Sequence, residues 1–316
     1  MVENRLDSKI LASLIDHTQL MPFATKEDIK NLCKEATELG TATVCVNESR
    51  IEEAVKFLKE FNDKNNSDVK NESNIKKGLK IKVCGVVGFP LGSATTNIKI
   101  ASAIDAIHKG AEEIDMVVNV GFLKDVMACK NEENYESKRT KLLKRFEQDI
   151  EAVMEAIDNY NQENSTNIIL KVIQENCYLT EEEVKIATTT IAKLAGNFKL
   201  KVFAKTSTGF GVPKKGPVDK EDVGATVHDI ELMRKAIDEV TKKTEDNEIK
   251  YEYIVGIKAA GGIRDKETTL KMMKAAGCFI EDDSDENNDE KEYKLVDNYK
   301  ELVRIGASAS REICKE

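Results

Sequence analysis

The stretch IKVCGVVGFPLGSATTNIKIASAIDAIHKGAEEIDMVVN, residues 81–119, reads as strand, helix and strand in succession. Ile81–Val87 and Ile114–Asn119 are rich in β-branched residues, which suit a pleated and packed surface. Between them Thr95–His108 carries the 3.6-residue periodicity of a helix, and Gly110 stands where a C-cap glycine belongs. Such a unit places its two strands parallel in one sheet, with the helix crossing over a face.

The same alternation continues in both directions. Further strands are expected at Leu14–His17, Thr43–Val46, Ile168–Gln174, Lys201–Lys205, Tyr253–Ile257 and Leu302–Ile305, which makes eight in all. Further helices are expected at Lys26–Leu39, Glu48–Glu60, Lys141–Ile157, Thr180–Leu194, Lys220–Val240 and Lys266–Ala276, with a short one after Ser308. In Lys26–Leu39 the apolar residues Ile29, Leu32, Cys33 and Ala36 share one face, and Thr180 precedes Glu181–Glu183 as an N-cap with an acidic first turn. Eight strand–helix repeats favour closure into a (β/α)₈ barrel, here with an N-terminal helical lead-in. A doubly wound open sheet is the runner-up, and no G-x-G-x-x-G follows the first strands to support it.

Five segments break the pattern: 62–77, 130–138, 158–167, 241–250 and 281–292. Rich in Asn, Asp, Glu and Lys, they bury too little apolar surface to offset ordering entropy and are expected to be solvated loop insertions. Without them about 250 residues remain, a usual length for one barrel, so the chain is read as one domain. A net charge of -9 gives no general attraction to phosphate backbones or anionic lipid, and no apolar run is long enough to span a bilayer. Nucleic acid and membrane partners are therefore not expected. The seven cysteines contain no C-x-x-C pair and there are three histidines, so no metal-ligand cluster is legible. The cysteines read as small hydrophobes in a reduced cytoplasm.

Lysine is among the side chains least often fully buried, yet VFAKTSTGFG (202–211) and VGIKAAGG (255–262) each aim one inward. Strand alternation puts Lys205 on a face with Phe203, and Lys258 on a face with Gly256 and Ile254. Either lysine alone could snorkel to solvent or pair with an acid. Two of them on neighbouring strands, at the end of a barrel where chemistry is placed, say more. Ammonium groups within ~4 Å repel by about 4 kcal/mol at an effective dielectric near ~20. One amine would then titrate near ~7 instead of ~10.4 and act as a nucleophile toward carbonyls, which is Schiff-base chemistry. Asp115 in EEIDMVVN also points inward and needs a partner, which a lysine across the lumen would supply; a purely structural ion pair with Lys171 or Lys258 is the competing reading. Asp16 ends the first strand, Lys171 and Glu175 alternate inward on the fifth as members of a charge network, and His17 is read as making an ordinary hydrogen bond. Gly261 and Gly262 follow the seventh strand and precede a helix; Gly306 and Ser308 follow the eighth. Loops in those places commonly hold phosphate, and glycine lets backbone N–H groups and helix N-termini approach the anion.

With these residues assembled, the sequence resembles the deoxyribose-phosphate aldolases of the Schiff-base class. The likeness runs through LIDHTQLMPFATKEDIKNLCKEA, ATVCVN, KVCGVVGFPLGSATT, GAEEIDMVVNVG, LKVIQENCYLT, FAKTSTGFG, ATVHDIELMRKAI, GIKAAGGIRD and RIGASAS, in order and over nearly the whole chain outside the insertions. The resemblance implies reversible cleavage of 2-deoxy-D-ribose 5-phosphate to acetaldehyde and D-glyceraldehyde 3-phosphate, with no cofactor and no metal. It implies that Lys205 forms the imine, that Lys258 lowers its pKa and that Asp115 moves protons. Gly209, Gly261, Gly262, Gly306 and Ser308 match phosphate-holding positions, and Asp16, Lys171 and Thr206 join the substrate-binding set. It also implies a cytoplasmic homo-oligomer, dimer or tetramer, in deoxyribonucleotide catabolism. Two departures stand out: Phe210 where some relatives carry lysine, and the long GVPKKGPVDKEDVG segment that follows, in which Lys214 or Lys215 could restore the charge. Another Schiff-base aldolase of phosphorylated sugars, or a sugar-phosphate-binding protein without turnover, are the alternatives.

Overall fold

Eight parallel strands close on themselves in the computed structural model, which describes residues 6–68, 80–129, 134–213, 218, 222–245, 248–281 and 293–315. They are β1 (Ile15–Gln19), β2 (Thr43–Val46), β3 (Lys82–Val87), β4 (Glu113–Val117), β5 (Ile169–Ile173), β6 (Val202–Lys205), β7 (Val255–Ala260) and β8 (Val303–Ala307). Each pairs with its neighbours in sequence, and β8 returns to β1 with Ile305 opposite Ile15. This closure removes the sheet edges an open doubly wound arrangement would leave.

The helices are α1 (Ser8–Ala12), α2 (Lys26–Leu39), α3 (Ile51–Asp68), α4 (Thr96–His108), α5 (Val120–Ala128), α6 (Tyr135–Asn164), α7 (Glu181–Ala195), α8 (Val227–Thr241), α9 (Lys266–Ala275), α10 (Tyr299–Leu302) and α11 (Ser310–Ile313). Helix α2 starts at a capping box formed by Thr25 and Asp28, ends at left-handed Gly40 and buries Ile29, Leu32, Cys33 and Ala36. Thr180 and Glu183 make the same box at α7. The main core lies between the sheet and this helical ring, where Val44, Val46, Ile114, Met116, Leu170 and Val172 meet the helices. Truncating any one of them to alanine is expected to cost about 1–4 kcal/mol.

Several segments differ from the sequence reading. Residues 158–164 form the last two turns of α6, with Asp158 buried, because Asn161 ties that helix end to the approach to β5. Its side chain accepts the Ile168 N–H at 2.7 Å and donates to the Ile168 carbonyl at 3.1 Å. In 241–250 the chain pairs Lys242–Glu245 antiparallel with Glu248–Tyr251. Helix α5 follows β4 directly, capped by Asn119, where no separate helix was expected. Helix α8 begins at Val227, not Lys220, with the Thr226 side chain accepting the Asp229 N–H. Residues 222–226 stay outside the helix because they are pinned to the end of β7: Ala225 N–H donates to the Ala260 carbonyl at 3.0 Å. A Cβ on Gly224 would run into the backbone of Gly261. Of the other insertions, 62–68 completes α3 and 134–138 opens α6, whereas 69–77, 130–133 and 282–292 lie outside the described residues.

Candidate active site

Inward-facing positions of the barrel bring ionised side chains together. On β4, Asp115 sits between β3 and β5, and its carboxylate reaches across the lumen. Lys205 and Lys258 are in-register neighbours on β6 and β7, and both donate to Asp115 Oδ2 at 2.7 Å. Their amines are therefore no further apart than twice that distance. Gly256 makes room for this arrangement, since a Cβ there would collide with the Phe203 ring on β6. Gly306 on β8 does likewise, because its Cβ would lie 3.2 Å from Lys258 Cε.

Below this pair the cluster continues. Lys171 Nζ contacts Asp115 Oδ1 at 2.9 Å, Glu113 Oε2 at 2.8 Å and Asp16 Oδ2 at 3.3 Å. Lys258 also reaches Asp16 Oδ2 at 2.6 Å, and Arg304 bridges Asp16 and Glu113 at 3.3 and 3.2 Å. Three buried carboxylates thus face four buried cations, while half-exposed Lys82 reaches Glu113 from outside. Lys171 contacts three of those carboxylates and Lys258 and Arg304 two each; Lys205 contacts Asp115 alone among the described residues.

Burial alone would raise the Asp115 carboxyl, but Lys171, Lys205 and Lys258 hold it well below the usual carboxylate range. For Asp16 the burial effect is overridden by Lys171, Lys258 and Arg304, and the carboxyl is likewise depressed. Burial opposes the charge on Lys258, yet Asp115 and Asp16 raise its amine above the ordinary lysine value. Lys171 is raised further, by Asp115, Asp16, Cys84 and Glu113 against burial. The expected bare cation pair is thus replaced by two amines sharing a carboxylate oxygen, with one of them locked in its charged form.

Lys205 lines a pocket of about 240 Å³ at the C-terminal end of the barrel. The glycines expected to hold phosphate, Gly209, Gly261, Gly262 and Gly306, line it too, with Ser308. Gly209, Gly261 and Gly262 have φ of 83°, 87° and 77°, backbone that other residues rarely adopt. Helix α9 does not lend its N-terminus to this site, because Asp265 caps it and accepts the Thr268 N–H at 2.7 Å. The positive charge at the mouth belongs to exposed Arg264, which the sequence reading overlooked. Lys214 and Lys215 lie outside the described residues.

Three expected site residues are placed elsewhere. Asp16 and Lys171 are wholly buried beneath the pocket, and neither lines it. Thr206 links β6 to β7, accepting the Ala260 N–H and donating to its carbonyl, whereas Thr208 faces the pocket. Glu175 does not alternate inward, because β5 ends at Ile173 and Glu175 adopts a left-handed φ of 50°. Its carboxylate accepts the Thr208 N–H at 3.1 Å and the Thr208 hydroxyl, which braces the loop after Lys205; burial raises its pKa. His17 makes the ordinary hydrogen bond expected of it, to Ser310 at 2.7 Å.

No protein-family model matches the chain. It is 38% identical to a deoxyribose-phosphate aldolase of Aciduliprofundum boonei over 275 residues, spanning 87% of this chain and 93% of that protein. It is 36% identical to a deoxyribose-phosphate aldolase of Clostridium perfringens over 310 residues, spanning 98% and 96% of the two chains. Among solved structures, a putative deoxyribose-phosphate aldolase from Coccidioides immitis superposes with a TM-score of 0.63 at 29% identity, over 97% of this chain and 85% of that one.

Proposed function

The chain belongs to the deoxyribose-phosphate aldolase family, and we propose on that premise that it reversibly cleaves 2-deoxy-D-ribose 5-phosphate to acetaldehyde and D-glyceraldehyde 3-phosphate through an imine on Lys205. The observation that carries the choice of lysine is its position: Lys205 lines the pocket and shares one carboxylate with Lys258, while Lys171 and Lys258 are enclosed by two or three acids. Attack on an aldehyde needs an unprotonated amine. Loss of a proton from Lys205 gives up one ion pair, with Asp115, whereas loss from Lys258 gives up two and loss from Lys171 three.

In this reading the Lys205 amine adds to C1 of the open-chain sugar, and water leaves to give the protonated imine. The C3 hydroxyl then yields its proton as the C2–C3 bond breaks, and the electron pair of that bond moves into the imine to form an enamine. Asp115, within 2.7 Å of Lys205, carries protons directly or through water, first to the departing hydroxide and then from the C3 hydroxyl. D-glyceraldehyde 3-phosphate leaves, the enamine takes a proton at C2, and hydrolysis frees acetaldehyde and the amine. Lys258 remains charged and favours the forms of the intermediate that carry less positive charge. The phosphate rests against the backbone of Gly209, Gly261, Gly262 and Gly306, with Ser308 and Arg264 at the mouth.

The same reading makes the protein a cytoplasmic homo-oligomer, dimer or tetramer; the described helices include none long and apolar enough to cross a membrane. Acetaldehyde release from deoxyribose 5-phosphate, measured beside ribose and fructose phosphates, tests the reaction. Turnover restricted to the deoxy sugar supports it; turnover of the other phosphates in its place overturns it.

A further inference from the structure

Two side chains beside Asp115 have no part in the imine chemistry. Cys45 on β2 and Cys84 on β3 are in-register neighbours, both wholly buried. Cys84 Sγ donates to Asp115 Oδ1 at 3.1 Å. The two sulfurs and a carboxylate oxygen of Asp115 lie within 4.8 Å of one another, and among the described residues this is the one such group of His, Cys, Asp or Glu. The separation of 45 and 84 in sequence hid it, since spacing rules look for ligands within a few residues.

We propose that Cys45, Cys84 and Asp115 form a binding site for a thiophilic divalent cation, zinc or cadmium, whose occupancy switches the aldolase off. Two thiolates and one carboxylate suit such an ion in both ligand type and number. Zinc bonds of ~2.3 Å to sulfur and ~2.0–2.2 Å to oxygen require the three donors to draw together only slightly. Three protein ligands leave a fourth position open, as in sites where zinc meets an outside ligand.

Charge balance favours entry as well. Each thiol gives up its proton on coordination, so a dication replaces two protons and the net charge of the buried cluster stays the same. A lone dication without that exchange would be opposed by Lys171, Lys205 and Lys258. When Asp115 Oδ1 turns to the metal, Lys171 keeps Glu113 and Asp16. Leu20 lines the pocket and packs in one cluster with Cys45 and Cys84, so the two thiols lie directly behind the pocket wall. The cost to catalysis follows from charge: a dication on Oδ1 draws electron density from the Oδ2 that Lys205 contacts, so Asp115 accepts a proton less readily. This last arm rests on the proposed function; the binding arm does not.

Reduced, metal-free protein is titrated with cadmium chloride, reading thiolate-to-cadmium absorption in the near ultraviolet and bound metal by native mass spectrometry. One cation per chain is expected, with absorption lost in Cys45→Ala and in Cys84→Ala and retained in Cys33→Ala. Cadmium NMR of the unaltered protein should report two sulfur ligands, a reading that needs no variant to fold. Aldolase turnover should fall with the first equivalent, from cadmium or zinc, and return with a chelator. Absorption that survives Cys84→Ala, or a shift reporting fewer than two sulfurs, overturns the site. Full turnover with one cation bound overturns the switch alone. Turnover of another sugar phosphate would contradict the proposed function and leave the binding result standing.

Discussion

Two places in the molecule bury a lysine against a carboxylate beside a cavity. Outside the sheet, Lys99 on α4 meets Asp149 on α6 at 2.6 Å, and Thr96 donates to the other oxygen of Asp149 at 2.8 Å. Inside it, Lys205 meets Asp115 at 2.7 Å. The groove beside the first pair, about 800 Å³, is the larger of the two, yet Lys99 itself does not line it. There one cation meets one anion, and the pair is closed. Around Asp115 the cations outnumber the carboxylates, and one of them opens on a pocket. Burial lowers the amine of Lys99, with Asp149 opposing, so a depressed lysine marks the wrong residue here. Charge imbalance together with access to a pocket sets Lys205 apart from Lys99, and the proposed chemistry rests on that difference.

The largest expected difference between the two places is in turnover. Lys205→Ala should lower aldolase turnover by at least ~10³-fold, whereas Lys99→Met should leave turnover per folded molecule within about twofold; steady-state kinetics on both variants decides this. Comparable losses from both would erase the distinction.

Stability sharpens it from the other side. Lys99→Met strands Asp149 and should destabilise by about 3–5 kcal/mol, while adding Asp149→Leu should recover most of that in denaturant unfolding. Asp115→Asn leaves four cations around two carboxylates, so it should lose stability and turnover together, with no such rescue from a second change at Lys205.

A smaller effect is expected at the pocket mouth. Arg264→Ala should raise KM for deoxyribose 5-phosphate by about 10-fold and change that for unphosphorylated deoxyribose little, if its guanidinium meets the phosphate. Equal changes for both sugars would remove Arg264 from the phosphate site.

The smallest is the pH dependence of stability. Asp16, Glu113 and Asp115 have folded pKa values below their unfolded ones of about 3.9–4.3. The unfolded chain therefore binds protons first, and the stability these groups contribute is complete above that range and lost as pH falls through the folded values. Thermal unfolding between pH 6 and pH 2 should show a steeper acid loss than in a variant with Asp16→Asn.

Much of this was legible before the fold was known. Thr43–Val46 and Lys26–Leu39 matched residue for residue, because alternating β-branched runs and capped amphipathic helices are local signals. The inward placement of Lys205, Lys258 and Asp115 followed from strand alternation, which survives wherever a strand runs straight to its end. Glu175 was misplaced because β5 stops two residues earlier, so alternation no longer applied. Cys84, Glu113 and Arg304 went unnoticed because strand register, not sequence spacing, brings them to the cluster. The paired strands Lys242–Glu245 and Glu248–Tyr251 read as polar sequence and give no apolar pattern to find.

The most direct test is borohydride reduction of the protein in the presence of deoxyribose 5-phosphate, followed by peptide mapping. The account expects a substrate-derived mass on the peptide bearing Lys205 and none on those bearing Lys99, Lys171 or Lys258. Label on any of these three in place of Lys205, or turnover with no trapped adduct at all, would contradict it.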